Sequence, residues 1–124
     1  MLINNILVID RGDASKGIFE TKYYNNFNIL KINNGNSIDE NELENSELIF
    51  VFVYEASDLI EAIPFYNRNT SLIIIYSDPT LSFDNLEYAY SINFLEGLEK
   101  TKKEIESIID FITIQDVFRK KIII

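Results

Sequence analysis

The side chains of this chain that could do chemistry are almost all carboxylates. Asp10 closes the apolar run Ile6-Leu7-Val8-Ile9, Arg11 follows it, and Asp13 stands three residues on. Glu55 and Asp58 come just after a second apolar run, Leu48 to Tyr54. Asp10 could ligate a metal together with Asp13; the commoner use of such a carboxylate is to cap a strand-to-helix turn. The chain contains no histidine and no cysteine. That removes the usual general base, the commonest metal ligand, thiolate chemistry and disulfides. Arg11-Gly12-Asp13-Ala14-Ser15-Lys16-Gly17 follows neither the GxGxxG nor the GxxxxGK[ST] phosphate-loop pattern, and its acids disfavour a phosphate ligand. A GxSxG nucleophile elbow and the Thr/Ser/Gly flavin-phosphate loop of flavodoxins are also missing. No independent enzyme is expected, and no cofactor.

The elements that would have to hold these acids are legible as short apolar runs. They are Ile6 to Ile9, Ile29 to Ile32, Leu48 to Tyr54, Leu72 to Tyr76 and a weaker Ala89 to Ile92. Runs this short, rich in β-branched and aromatic residues and without polar alternation, predict strands buried on both faces. Between them lie helical patterns. Asp13 or Ser15 can cap a helix carrying Ile18, Phe19, Tyr23 and Phe27, and Ser37-Ile38-Asp39-Glu40 has the capping-box pattern. Ser57 can cap a third helix that Pro64 should kink or end, and Leu81 to Tyr88 gives a short, poorly specified fourth. From Glu96, the three- and four-residue recurrence of Leu98, Ile105, Ile108, Ile109 and Ile112 predicts a long amphipathic last helix. Five β-α units with right-handed crossovers give an α/β fold, a doubly wound parallel sheet with helices on both faces.

At 124 residues the chain fits one domain with a real core. The pattern divides it into a domain over 1–113 and a helix extension or tail over 114–124, with three terminal isoleucines. Residues 1–96 hold 5 basic and 15 acidic side chains, and residues 97–124 hold 6 and 5. An acidic body repels phosphate backbones, so nucleic-acid binding by this domain alone is not expected. The acidity serves either solubility or a basic partner surface. No apolar stretch approaches the ~20 residues that span a bilayer, and no basic segment precedes the first apolar run. A cytoplasmic location and no membrane partner follow as expectations.

Three segments taken in order carry a likeness. Ile6-Leu7-Val8-Ile9-Asp10 reads as a first strand with an acidic turn, Asn34-Gly35 follows the second strand, and Glu47-Leu48-Ile49-Phe50-Val51 is an acid-led third strand. With the spacing of the five units, they resemble the receiver domains of two-component response regulators, over about residues 4–113. The resemblance implies a flavodoxin-like, receiver-like five-stranded parallel sheet of order 2-1-3-4-5. It also implies a phosphorylation site at the carboxyl ends of the strands. In the family, two adjacent acids after strand one hold Mg²⁺, an aspartate ending strand three is the nucleophile, and a Ser/Thr and a lysine end strands four and five. Metal and lysine neutralise charge on the phosphoryl oxygens while the carboxylate attacks in line.

The chain departs from that pattern where the chemistry lies. Asp10 keeps the first acid, but Arg11 stands at the second. The nucleophile position falls on Phe52, or on Val53 with a one-residue slip; the hydroxyl position falls on Tyr76 or Ser77, and the lysine position on or near Asn93. The expected pocket is therefore a vestige made of Asp10, Arg11, Phe52, Ser77 and Asn93, with no catalytic or metal-binding residue. Arg11 is either a fixed cation paired with Asp10 in the metal's place or an ordinary exposed arginine. Glu55 and Asp58 are either displaced phosphoacceptors or, more commonly for such acids, loop and cap residues.

The resemblance then implies a noncatalytic pseudo-receiver, acting through protein–protein contacts on the face of the fourth helix, fifth strand and last helix. The candidate surface is Tyr88, Tyr90, Phe94, Leu98 and the ridge Ile105, Ile109 and Ile112; Tyr90 falls at the family's aromatic switch position. The expected partner is a protein or output domain, with a homodimer favoured. The alternatives are an atypical Mg²⁺-dependent phosphoacceptor using a non-standard acid, and a flavodoxin-like domain binding a small molecule.

Overall fold

The apolar runs become the five strands of the computed structural model: β1 (Asn5–Ile9), β2 (Asn28–Ile32), β3 (Leu48–Val53), β4 (Ser71–Tyr76) and β5 (Ala89–Asn93). The helices are α1 (Ala14–Phe19), α2 (Glu40–Asn45), α3 (Ala56–Ala62) and α4 (Leu98–Ile123), with 3₁₀ turns at Lys22–Tyr24 and Phe94–Glu96. The structure describes residues 3–33, 40–62, 71–77 and 89–123, excepting the side chains at 40, 42, 43, 59, 61, 62, 71, 89, 96 and 115–123. The expected fourth helix over 81–88, Asn34-Gly35, the Ser37 capping box and Pro64 lie outside these residues.

The strands form one parallel sheet in the order β2-β1-β3-β4-β5. This is the expected order, with the reversal between β1 and β3 that defines a doubly wound sheet. Burial explains the composition of each strand. All six residues of β3 are buried, as a central strand covered on both faces must be, whereas the edge strand β2 is largely exposed. Ile6, Val8, Leu48, Phe50, Phe52, Ile73, Ile75 and Ile92 line one face and pack with Ile18, Ile105 and Ile109. The alternate residues Leu7, Ile49, Val51, Val53 and Ile74 are also buried, which is what a sheet covered on its other face requires.

Two helices differ from the sequence expectation for local reasons. The first ends at Phe19, short of Tyr23 and Phe27, because the chain turns there into an aromatic cluster. Tyr24 meets Phe19 edge-on at 5.0 Å and Tyr23 at 4.9 Å, geometries that suit the ring quadrupoles. The Tyr23 hydroxyl also donates to Asp110 (2.9 Å), tying this turn to α4. The last helix begins at Leu98, after Gly97 with φ +104°, a value only glycine adopts without strain. It then runs unbroken for 26 residues to Ile123, about 39 Å at 1.5 Å per residue. Strands of this length span only about 20 Å, so α4 is about twice as long as the strands it covers.

Candidate functional site

The carboxyl ends of the strands are where a doubly wound sheet places its site. At the tip of β1 the Asp10 amide donates to the Ile32 carbonyl (3.0 Å), carrying the ladder to β2 one residue further. Asp10 is fully buried. Its Oδ1 accepts from the Gly12 amide (2.9 Å) and the Tyr54 hydroxyl (2.5 Å), and its Oδ2 from the Ser15 amide (3.0 Å). Asp10 thus does the capping work for the β1–α1 turn; Asp13, at the N-cap position of α1, makes no side-chain cap bond. Burial alone would raise the Asp10 pKa, but the Tyr54 hydroxyl and the bonds from Ser15 and Gly12 outweigh it, and the group lies below its ordinary value.

Tyr54 is the residue that sequence reasoning missed. It follows β3, and strand alternation puts it on the face of Phe50 and Phe52, over the tip of β1. Its hydroxyl also accepts from the Ala14 amide (3.3 Å). Burial first, and then the bond to Asp10, raise its pKa, so the phenol keeps its proton and donates. Gly12 makes room for it: a Cβ there would stand 2.7 Å from the Tyr54 hydroxyl oxygen. The available signal was the alternation Phe50, Phe52, Tyr54 beside a glycine two residues after Asp10.

Arg11 turns the other way from the expected partner. Its Nε donates to Asp58 Oδ1 and an Nη to Glu55 Oε1, both at 2.8 Å, and its guanidinium lies 5.2 Å from the centre of the Tyr54 ring. The Asp10 oxygens are engaged elsewhere. Of the two readings of Arg11, the pair with Asp10 does not form, and the arginine, though half-exposed, bridges the β1–α1 loop to the β3–α3 turn. Asp58 is buried and organises that turn, its Oδ2 accepting from the Tyr54 amide (2.8 Å) and the Glu55 amide (3.1 Å). It, and not Ser57, opens α3. Glu47, at the acid position leading β3, accepts from the Asn5 amide (2.9 Å).

The remaining pocket residues occupy three strand tips. Ile9 pairs with Val51, so Asp10 stands level with Phe52. Phe52 is buried, with its ring edge-on to Phe19 at 6.3 Å; Val53 is buried as well. The Ser77 amide donates to the Val53 carbonyl (3.2 Å) beside β3. Asn93 caps the following 3₁₀ turn, its Oδ1 accepting from the Leu95 amide (2.9 Å). Among the described residues no three acids converge as a metal-binding group.

No protein-family model matches the sequence, and no curated protein does. Among solved structures, the chain superposes on a two component transcriptional regulator AraC from Clostridium phytofermentans ISDg with a TM-score of 0.62. That match is 12% identical and covers 92% of this chain and 98% of the other. The fold is receiver-like. A response regulator from Thermotoga maritima is matched at TM-score 0.49 and 17% identity, over 88% of this chain and 99% of the other.

In the receiver-like frame the expected surface residues separate into two groups. Tyr90 and Phe94 are half-buried against the core, and Leu98 is exposed, with its Cδ2 3.6 Å from the Cβ that Gly17 of α1 lacks. Leu95, not singled out in the sequence, is 54% exposed beside them. Ile105 and Ile109 are corrected: both are buried in the core, and Ile112 packs against it. The periodicity that reads as a free ridge is the stripe by which α4 covers the sheet. Further along α4, Phe111 and Ile114 are exposed. Tyr88 lies outside the described residues.

Proposed function

We propose that this receiver-like domain is a noncatalytic pseudo-receiver, a signalling module that works by protein contact without phosphorylation. The observation that carries the reading is Phe52: at the level of Asp10, on the central strand, a buried hydrocarbon ring stands where a receiver needs its nucleophilic carboxylate. Neither Phe52 nor Val53 has a side-chain oxygen to accept a phosphoryl group.

The donor set does not fit the Mg²⁺ of an active receiver either. Asp10 already accepts three hydrogen bonds of the about four a carboxylate offers. The neighbouring acid is replaced by a guanidinium, and Glu55 and Asp58 are paired with it. In place of phosphorylation, partner binding or concentration would set the state of the module. Its contact surface is the exposed apolar group Leu95 and Leu98 with the half-buried Tyr90 and Phe94. The partner is a protein, an output domain or a second copy of this chain.

Amide NMR spectra recorded with beryllofluoride and Mg²⁺ test the reading. Unchanged resonances are expected throughout; Mg²⁺-dependent shifts centred on Asp10 and Glu55 would point to an atypical phosphoacceptor and sink it.

A further inference from the structure

We infer that Arg11 is a resident cation, standing in covalently for the divalent ion that acids at these strand tips would otherwise gather. The inference rests on the proposed function, which it deepens by saying what fixes the site in one state. Three hydrogen bonds and one peptide link form a closed circuit between two loops. Asp10 accepts from the Tyr54 hydroxyl, Asp58 accepts from the Tyr54 amide, Arg11 donates to Asp58, and Arg11 is joined to Asp10 by the chain. Glu55 adds a second carboxylate to the same guanidinium.

The chemistry of the circuit is that of an ion site with its ion built in. Asp58 is buried, with a side chain 8% exposed, and a buried carboxylate requires a compensating charge. Its Oδ2 is held by two amides of its own turn, and its Oδ1 faces the arginine. Glu55 brings its carboxylate to an adjacent nitrogen of that guanidinium. A hard divalent cation held by one or two carboxylates and water would meet the same two oxygens. Unlike an ion, Arg11 does not dissociate, and its charge persists at any physiological pH. The β3–α3 turn is then held in one arrangement whatever the Mg²⁺ concentration, which suits a module that does not respond to phosphorylation.

Replacing the arginine should exchange one cation for the other. Thermal melting of the full chain with and without millimolar Mg²⁺ reads this directly, using Arg11→Gln. The parent should melt at the same temperature in both buffers. The variant should melt lower without Mg²⁺ and regain a measurable part of the loss with it; adding Glu55→Gln should abolish the regain. Arg11→Met keeps an unbranched apolar side chain next to Tyr54 and carries the same expectation should Arg11→Gln not fold. A parent stabilised by Mg²⁺ as strongly as the variant would overturn the inference. So would a variant that melts lower but ignores Mg²⁺, or one that melts like the parent in both buffers. Intact mass after acetyl phosphate treatment separates this failure from that of the proposed function: a phosphorylated parent would sink the latter alone.

Discussion

The strand-tip pocket and the flank after β5 are built on opposite principles. At the tips of β1 and β3, Asp10, Arg11, Tyr54 and Asp58 satisfy one another through short bonds and leave little to offer a ligand. After β5, Leu95 and Leu98 stand exposed beside Tyr90 and Phe94. In the first region the carboxylates of Asp10 and Asp58 are buried among their donors; in the second, apolar groups remain in contact with water. On the proposed function, the flank and not the strand tips carries the activity of the domain.

The largest expected effect separates helix stripe from surface. Ile105→Ala removes a fully buried side chain from beneath α4 and should cost about 3 kcal/mol in urea unfolding, within the range for core truncations. A change below ~0.5 kcal/mol would return Ile105 to the surface group.

Asp10→Ala comes next. It leaves the Gly12 and Ser15 amides and the Tyr54 hydroxyl without their acceptor. Orphaned buried donors are costly, so a loss of about 2–3 kcal/mol is expected in the same assay. A neutral outcome would mean that the tip is open to water and not closed.

The bond between Asp10 and Tyr54 also sets a pH dependence at both limits. Asp10 has its pKa depressed from 3.8 by the fold. Its contribution is present above 3.8 and is lost as pH falls through the lower folded value. Tyr54 is raised from 10.0, so its contribution is present below 10 and is lost as pH rises towards its folded value. Asp10→Asn should therefore flatten the acid limb of stability against pH, and Tyr54→Phe the alkaline limb, with about 1 kcal/mol lost at neutrality in the latter. Limbs unchanged by both substitutions would remove the Asp10–Tyr54 bond from the account.

The smallest effect on stability belongs to the flank. Leu95→Ser with Leu98→Ser should change unfolding by roughly 0.5 kcal/mol or less, as exposed positions do. Light scattering should nonetheless show a shift from dimer to monomer if the partner is a second copy. A loss of several kcal/mol would make these leucines part of the core.

The sheet was legible because buried parallel strands write themselves as unbroken apolar runs, and β3 is apolar from Leu48 to Val53. The long last helix was legible for a similar reason, but its direction of burial was not. The 3–4 spacing of Ile105, Ile109 and Ile112 says that a stripe is apolar without saying whether sheet or partner covers it. At the tips, Asp10 was found because an acid ends an apolar run. Arg11's partners were not, because Glu55 and Asp58 are more than forty residues away and only the pairing of β1 with β3 brings them near. Tyr54 was read as the last residue of a hydrophobic run, whereas its hydroxyl is the part that matters.

The most direct measurement is intact mass of the purified chain after incubation with acetyl phosphate and Mg²⁺. The unmodified mass is expected, with no phosphoryl group on any carboxylate. A single added phosphoryl group, mapped to Asp10, Glu55 or Asp58, would contradict it.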